Sequence, residues 1–189
     1  MLISTSAGAL LVFFFRKIGR LEYSALLAFA AGMMGYSAIE MLAQSHASGQ
    51  DIVIVFGLAL GIGTLILTDR LLPHVHKHAL GEEIAEPRKK AILIVGTIAL
   101  HNIPEGFAIA AAFAQSNTLG WFVTTSIALQ DIPEGTLVSA PLTVYGMDKK
   151  ESIGYGILSG GIEAAAALAG YVFLSAAAGL VPLALSFSA

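Results

Sequence analysis

The chain alternates long apolar segments with short polar connections. A helix needs about 20 apolar residues to cross the hydrocarbon core of a bilayer, and six segments are candidates for such spans. They cover residues 3–15, 23–43, 52–72, 91–115, 118–144 and 153–178. The first segment is short, and a seventh begins near Pro182, shortly before Ala189. The pattern predicts an all-α, polytopic transmembrane helix bundle with six spans and the start of a seventh, in one domain over residues 1–189.

The composition favours a protein embedded in lipid. Hydrophobic residues make up 56% of the chain and charged residues only 12%, with a mean hydropathy of +0.79. Soluble domains carry about 25% charged residues, so this chain cannot cover a water-facing surface. There is no cysteine, which excludes disulfides and thiolate metal sites. We predict an integral membrane protein that contacts the lipid bilayer and has no nucleic-acid partner. The N-terminus does not have the pattern of a signal peptide.

The basic residues predict the orientation of the spans. All ten fall at the connections after spans one, three and five, and none falls at the connections after spans two, four and six. They are Arg16, Lys17, Arg20, Arg70, Lys77, Arg88, Lys89, Lys90, Lys149 and Lys150. Because basic connections stay on the cytoplasmic side, we expect the N-terminus to face outside.

One short motif occurs twice, in the fourth and fifth spans. "IALHNIPEG" begins at Ile98 and "IALQDIPEG" begins at Ile127, with seven of nine letters identical. Both copies lie at the middle of their spans, and consecutive spans run in opposite directions. A motif repeated on neighbouring antiparallel helices suggests an approximate two-fold axis in the membrane plane. Many transporters are built from such inverted repeats and bind their substrates near the bilayer midplane.

Each copy of the motif places polar side chains near mid-bilayer. They are His101, Asn102, Glu105, Gln130, Asp131 and Glu134. In each copy the first and last of these residues are four positions apart, so they stack on one helical face. Pro104 and Pro133 cannot donate the usual helical hydrogen bond, which predicts a kink and a free carbonyl oxygen. Gly106 and Gly135 allow close backbone approach; simple packing kinks are the alternative interpretation.

A fourth acid joins those of the motifs. Glu163 lies near the centre of span six, among small residues that let helices pack closely. An ionised side chain at a helix centre costs roughly 2.5–3.5 kcal/mol, so four unpaired acids would cost on the order of 10 kcal/mol. No lysine or arginine lies within a span core. The acids are therefore either protonated or share a cation, and two divalent ions would balance four carboxylates.

The residue types favour an exchangeable metal site. One imidazole among carboxylate and amide oxygens suits Zn²⁺, Fe²⁺, Mn²⁺ or Cd²⁺. A closed structural zinc site would favour several cysteine or histidine ligands. The oxygen-rich set predicts weaker binding, as transport requires. For Glu163, an interhelical hydrogen bond from a protonated carboxyl is the alternative.

The paired motif "HNIPEG" and "QDIPEG" resembles the signature of the ZIP (Zrt/Irt-like) metal transporters, particularly the bacterial GufA-like branch with Gln-Asp in the second copy. The resemblance extends over nearly the whole chain. In that family an eight-helix fold moves divalent metal toward the cytosol through a binuclear centre between spans four and five. The resemblance implies a zinc uptake transporter of the bacterial inner membrane and a homodimer, which is usual in the family.

The resemblance also implies a ligand set, carried over position by position. One metal position would use His101, Glu105, Gln130, Asp131 and Glu134. The second would use Asn102, Glu105, Asp131, Glu134 and Glu163. Met34 in "AAGMMGYSAIE" resembles a position in span two that adds a thioether ligand, although methionine is more often a core residue.

Two connections contain histidine. The cytoplasmic loop at 73–90 contains "HVHKHALGEE" and matches the His-containing loop of the family; it is either a weak metal-collecting tether or a solvated polar loop. His46 and Asp51 lie in the outer connection after span two, where a surface role without function is favoured over contact with incoming metal. Because the family has eight spans, a partial sequence without spans seven and eight is expected.

Two other functions are compatible with buried acids. A membrane-embedded metallohydrolase would use Glu105 or Glu134 as a general base on metal-bound water, but no HExxH pattern is present. A metal-free, proton-coupled carrier would keep its acids protonated. The inverted duplication suits alternating access better than one-sided catalysis, so the prediction is metal transport and no enzyme activity.

Overall fold

The structure is a computed structural model that describes residues 1–14, 19–80, 86–144 and 146–189, and within these ranges it places all side chains except those of residues 69, 71–80, 86–92, 94 and 99. The described residues form helices and turns and contain no strand. The α-helices are α1 (Leu2–Leu10), α2 (Arg20–His46), α3 (Asp51–Leu80), α4 (Glu86–Gln115), α5 (Asn117–Val144), α6 (Lys149–Ala176) and α7 (Val181–Ser188). Short 3₁₀ helices follow α1 and α6. The predicted all-α bundle is confirmed.

Three helical segments are long and apolar enough to cross a membrane among the described residues. They are Arg20–His46, Asp51–Thr68 and Lys149–Ala176. The 28-residue helix α5 does not qualify because Gln130, Asp131 and Glu134 lie near its middle and lower its hydropathy. The chain is thus a membrane helix bundle, while the number of six spans stays a prediction.

The connection between α4 and α5 brings the two motif copies to one depth. Ser116 alone separates the helices, and its hydroxyl accepts a hydrogen bond from the backbone N–H of Leu119 at 3.1 Å, a capping arrangement that starts a helix. His101 and Asp131 each lie fifteen residues from Ser116. Because the two helices form a hairpin, the motif copies lie side by side.

The two motif glycines allow close helix approach, as predicted, but toward different neighbours. A Cβ on Gly106 of α4 would collide with the carbonyl oxygen of Glu163 on α6. A Cβ on Gly135 of α5 would collide with the carbonyl oxygen of Thr5 on α1. Helix α1 packs against both α5 and α6. The motif hairpin is therefore held on one side by α6 and on the other by α1.

The helices run further than the apolar segments. Helix α3 continues to Leu80 and α4 begins at Glu86, so both enter the stretch 73–90 that was expected to be a loop. Hydropathy predicts only the part of a helix that lies in the lipid. The helix itself continues as long as its backbone hydrogen bonds continue. Helix α7 starts at the predicted seventh segment, with a proline in its first turn.

Several predicted features fall outside what the structure describes. The side chains of the histidine loop, including His74, His76 and His78, lie outside the described residues. The same holds for the side chains of Arg16, Lys17, Lys77, Arg88, Lys89 and Lys90. The role of the loop and the orientation of the chain therefore stay predictions.

Candidate metal centre

A cavity of about 320 Å³ lies beside the first motif copy. Its walls come from α2, α3, α4, α5 and α7. Four predicted ligands line it: Met34, His101, Glu105 and Gln130. His101 is exposed, Met34 and Glu105 are half-buried and Gln130 is buried. The fold thus brings half of the predicted ligands to one space large enough for a hydrated ion.

A direct hydrogen bond joins the two motif copies. Gln130 Nε2 on α5 donates to Glu105 Oε1 on α4 at 2.5 Å. Bonds to a carboxylate are short and strong, so this contact fixes how the two helices face each other. The second carboxylate oxygen of Glu105 and the amide oxygen of Gln130 have no hydrogen-bond partner in the described part of the chain. Each residue therefore keeps an oxygen free to bind a cation.

The other four predicted ligands do not line the cavity. Asn102, Asp131, Glu134 and Glu163 expose 1%, 1%, 8% and 0% of their surface. Glu105 is bonded to Gln130, the neighbour of Asp131 on α5, and Gly106 beside it packs against Glu163 on α6, so the carboxylates of the three helices lie in one region. Asp131 Oδ2 is 3.4 Å from the terminal ammonium of Met1 on α1. Asn102 instead turns its amide nitrogen toward Ser159 on α6, at 3.0 Å from the hydroxyl oxygen and 3.2 Å from the carbonyl oxygen.

The region holds most of the buried side-chain polar atoms that lack a hydrogen-bond partner. Seven of the ten such atoms among the described residues belong to predicted ligands. They are Asn102 Oδ1, Glu105 Oε2, Gln130 Oε1, Asp131 Oδ2, Glu134 Oε2 and both carboxylate oxygens of Glu163. Asp131 Oδ2 forms no hydrogen bond but has the ammonium of Met1 as an ion-pair partner at 3.4 Å. Native proteins pair nearly all buried polar groups, and each unpaired group costs about 1–3 kcal/mol. Because all seven atoms are oxygens, the cluster fits a cation or a proton.

The side chains do not form one coordination shell in this arrangement. Within the described residues, no three histidine, aspartate or glutamate side chains lie close enough together to hold one ion. Like charges repel one another, and individual ligands have turned to separate nearby donors: Glu105 to Gln130, and Asp131 to the ammonium of Met1. The assignment of eight residues to two metal positions therefore stays a prediction.

Sequence reasoning missed Ser159, which bonds to one of the predicted ligands. Ser159 lies four residues before Glu163 and so on the same face of α6, a spacing that could have drawn attention to it.

Comparisons with known proteins agree with the motif. The chain matches the model of the ZIP zinc transporter family over residues 76–189, a stretch that includes every predicted ligand except Met34. The zinc transporter ZupT of Chlorobium chlorochromatii is 34% identical over 192 aligned positions, which cover 91% of this chain and 72% of that protein. The ZupT of Akkermansia muciniphila is 32% identical, with the same coverage of 91% and 72%. The ZupT of Escherichia fergusonii is 35% identical over 85% of this chain and 65% of its own length.

Proposed function

Because the chain belongs to the ZIP zinc transporter family, we propose that it carries divalent metal ions, above all Zn²⁺, across a membrane to the cytosol. The observation that carries the proposal is the cluster of seven buried oxygens without hydrogen-bond partners on α4, α5 and α6. A carrier needs ligands that bind an ion and then release it. Buried oxygens without hydrogen-bond partners can do both. Relatives named as zinc transporters support Zn²⁺ as the cargo.

The proposed site has two metal positions that share three carboxylates. The first uses His101, Glu105, Gln130, Asp131 and Glu134. The second uses Asn102, Glu105, Asp131, Glu134 and Glu163. Two divalent ions neutralise the four acids, which removes the cost of keeping those charges in the membrane. Assembly of either position requires the carboxylates to turn from their present partners toward a common ion.

His101 and Met34 have a separate part in the proposal. Both line the cavity of about 320 Å³, and His101 also lines a second cavity of about 500 Å³ between α3, α4 and α7. The imidazole of His101 can take an ion that enters the cavity, and the thioether of Met34 adds a weak, soft contact. These two residues would therefore receive the ion before the buried oxygens enclose it.

The proposal extends to selectivity and assembly. Fe²⁺, Mn²⁺ and Cd²⁺ also suit a site with one imidazole and several oxygens, so these ions should compete with Zn²⁺. The chain is proposed to work as a homodimer, the usual state in the resembled family. Competition assays and cross-linking in membranes test these two points.

Transport is tested with purified protein in liposomes loaded with a zinc-sensitive dye. The parent protein should import Zn²⁺, whereas His101→Ala and Glu134→Ala should import it much more slowly, because each removes a ligand. His46→Ala serves as the control, since His46 is exposed and bonded to Asp51 at 2.6 Å, away from the cavity. If both site variants import Zn²⁺ like the parent, the assignment of the site is wrong. If the parent imports no Zn²⁺, the proposed function of this chain is wrong.

A further inference from the structure

The amide of Asn102 is held by a single residue of α6. Its nitrogen Nδ2 lies 3.0 Å from the hydroxyl oxygen and 3.2 Å from the carbonyl oxygen of Ser159. Asn102 is 1% exposed and Ser159 is fully buried, so water does not compete for these bonds. The NH₂ group of Asn102 therefore faces α6.

The two acceptors on Ser159 have different effects on the orientation of this amide. A serine hydroxyl can donate or accept, so it would tolerate the amide in either orientation. A carbonyl oxygen can only accept, so it would repel Asn102 Oδ1 if the amide were turned over. The carbonyl contact at 3.2 Å therefore determines which way round the amide lies, and the shorter hydroxyl contact at 3.0 Å anchors it there. Without the hydroxyl only the longer contact remains, and the amide is held less firmly. Asn102 Oδ1 is left buried and without a hydrogen-bond partner among the described residues.

The same helix crossing is fixed again one turn further along. Gly106 lies four residues after Asn102, and its backbone packs against the carbonyl of Glu163. Glu163 in turn lies four residues after Ser159. Residues four apart share a helical face, so the two contacts set the register of α4 on α6. Asn102 is thus held in a defined position relative to Glu163.

We infer that Ser159 is a positioning residue for the metal: it holds the amide of Asn102 so that the oxygen, rather than the NH₂ group, is presented to the cation. The inference rests on the proposed function, because it concerns Asn102 as a ligand of the second metal position. A turned amide would present two N–H donors, which repel a cation. Groups that orient metal ligands typically change metal affinity 10- to 100-fold when they are removed.

The inference is tested by calorimetric titration of the purified chain in detergent with Zn²⁺. Ser159→Ala should bind Zn²⁺ about 10-fold more weakly, and Ser159→Thr, which keeps the hydroxyl, should restore part of the affinity. Ser152→Ala is the matched control, because Ser152 is also fully buried on α6 but donates its hydroxyl to the carbonyl of Asp148. Alanine suits a helix, and if Ser159→Ala does not fold, the isosteric pair Ser159→Thr and Ser159→Val, with and without the hydroxyl, replaces it.

Two further measurements separate positioning from a general structural effect. In an Asn102→Ala background, Ser159→Ala should cause no additional loss, because residues that act through one another are not additive. Loss of a hard oxygen ligand should also weaken Zn²⁺ more than the softer Cd²⁺, so the ratio of the two affinities should change. A purely structural serine would weaken both metals equally and in both backgrounds.

The outcomes distinguish this inference from the proposed function. Normal Zn²⁺ binding by the parent with unchanged binding by Ser159→Ala overturns the inference alone. A loss in Ser159→Ala that persists in full when Asn102 is already alanine also overturns it. A parent protein that binds no Zn²⁺ overturns the proposed function, and the inference with it.

Discussion

At the scale of single residues, the chemistry of this protein depends on oxygens that are buried without donors. Glu163 shows this most clearly: it is fully buried, and neither carboxylate oxygen has a hydrogen-bond partner in the described part of the chain. Asn102 and Gln130 each use the amide nitrogen in a hydrogen bond and leave the amide oxygen unpaired. Both amides, one on α4 and one on α5, are turned the same way. The region therefore offers the lone pairs of oxygen atoms rather than N–H groups.

The hydrogen bond between the motif copies yields a prediction about stability. Gln130→Ala removes the donor to Glu105 and leaves both carboxylate oxygens unpaired, so the folded state should lose about 1.5–3 kcal/mol, the range for a hydrogen bond to a charged group. The loss appears as a lower melting temperature of the purified protein in detergent.

Gln44→Ala is the matched control for this prediction. Gln44 donates to Glu40 at 3.1 Å within α2, which is the same chemistry between less buried side chains. Its loss should be smaller, because a hydrogen bond between side chains four residues apart on one helix contributes only about 0.2–0.5 kcal/mol. If the two variants melt alike, the bond between Gln130 and Glu105 does not stabilise the hairpin.

The polar residues of the site could be predicted from sequence, but their pairing could not. His101, Glu105 and Gln130 were identified because their types and spacing are unusual at mid-membrane, and the structure brings them to one cavity. That Asn102 turns to Ser159 depends on how α4 crosses α6. Such a contact links residues 57 positions apart, beyond the reach of a local pattern.

At the scale of helices, the motif hairpin is positioned by close backbone contacts. Gly106 lies against α6 and Gly135 against α1, and Thr136 adds a hydrogen bond from its hydroxyl to the carbonyl of Gly8 at 2.8 Å. Gly8 itself lies against the carbonyl of Ile132. Close approach of this kind is how helices associate in membranes, where apolar surface gives no driving force between them.

The contact of α4 with α6 predicts opposite effects for two glycine substitutions. Gly106→Ala introduces a Cβ that collides with the backbone of α6 at Glu163, so it should destabilise the protein by about 1–3 kcal/mol, the usual cost of overpacking. Gly161→Ala has nothing within 4 Å of the added Cβ and should be neutral or stabilising by up to about 1 kcal/mol, because alanine is the better helix former. Melting temperatures and the yield of folded protein check both.

A result in which both glycine variants behave alike would contradict this packing. The sequence indicated that the motif glycines allow close approach, but it did not indicate the partner. Both motif glycines could have faced each other across the α4–α5 hairpin. Instead α1 and α6 occupy those positions, an outcome set by the packing of the whole bundle.

At the scale of the whole molecule, transport toward the cytosol requires one orientation of the chain in the membrane. The basic connections after spans one, three and five predict a cytoplasmic location for that side. The turn between α2 and α3, which includes Ser48, would then face outside, and the start of α6, which includes Lys150, would face the cytosol. Helices α2, α3 and α6 each contain a segment able to cross a membrane, and the predicted alternation also requires α4 and α5 to cross.

The absence of cysteine from the chain makes the orientation directly testable. Ser48→Cys and Lys150→Cys are both exposed positions, and each variant would carry a single thiol. A membrane-impermeant maleimide added to intact cells should label Ser48→Cys and should label Lys150→Cys only after the membrane is permeabilised. The reverse pattern would contradict the predicted orientation of the chain.

The central claim is that acids and amides on α4, α5 and α6 hold metal ions in common. Elemental analysis of the purified, Zn²⁺-dialysed protein tests it most directly, with Glu105→Gln as the variant and His46→Ala as the control. Because Glu105 is shared by both proposed positions, the account predicts two Zn²⁺ per parent chain, a decrease at both positions in Glu105→Gln, and no change in His46→Ala. A Glu105→Gln protein that retains as much Zn²⁺ as the parent would contradict the account.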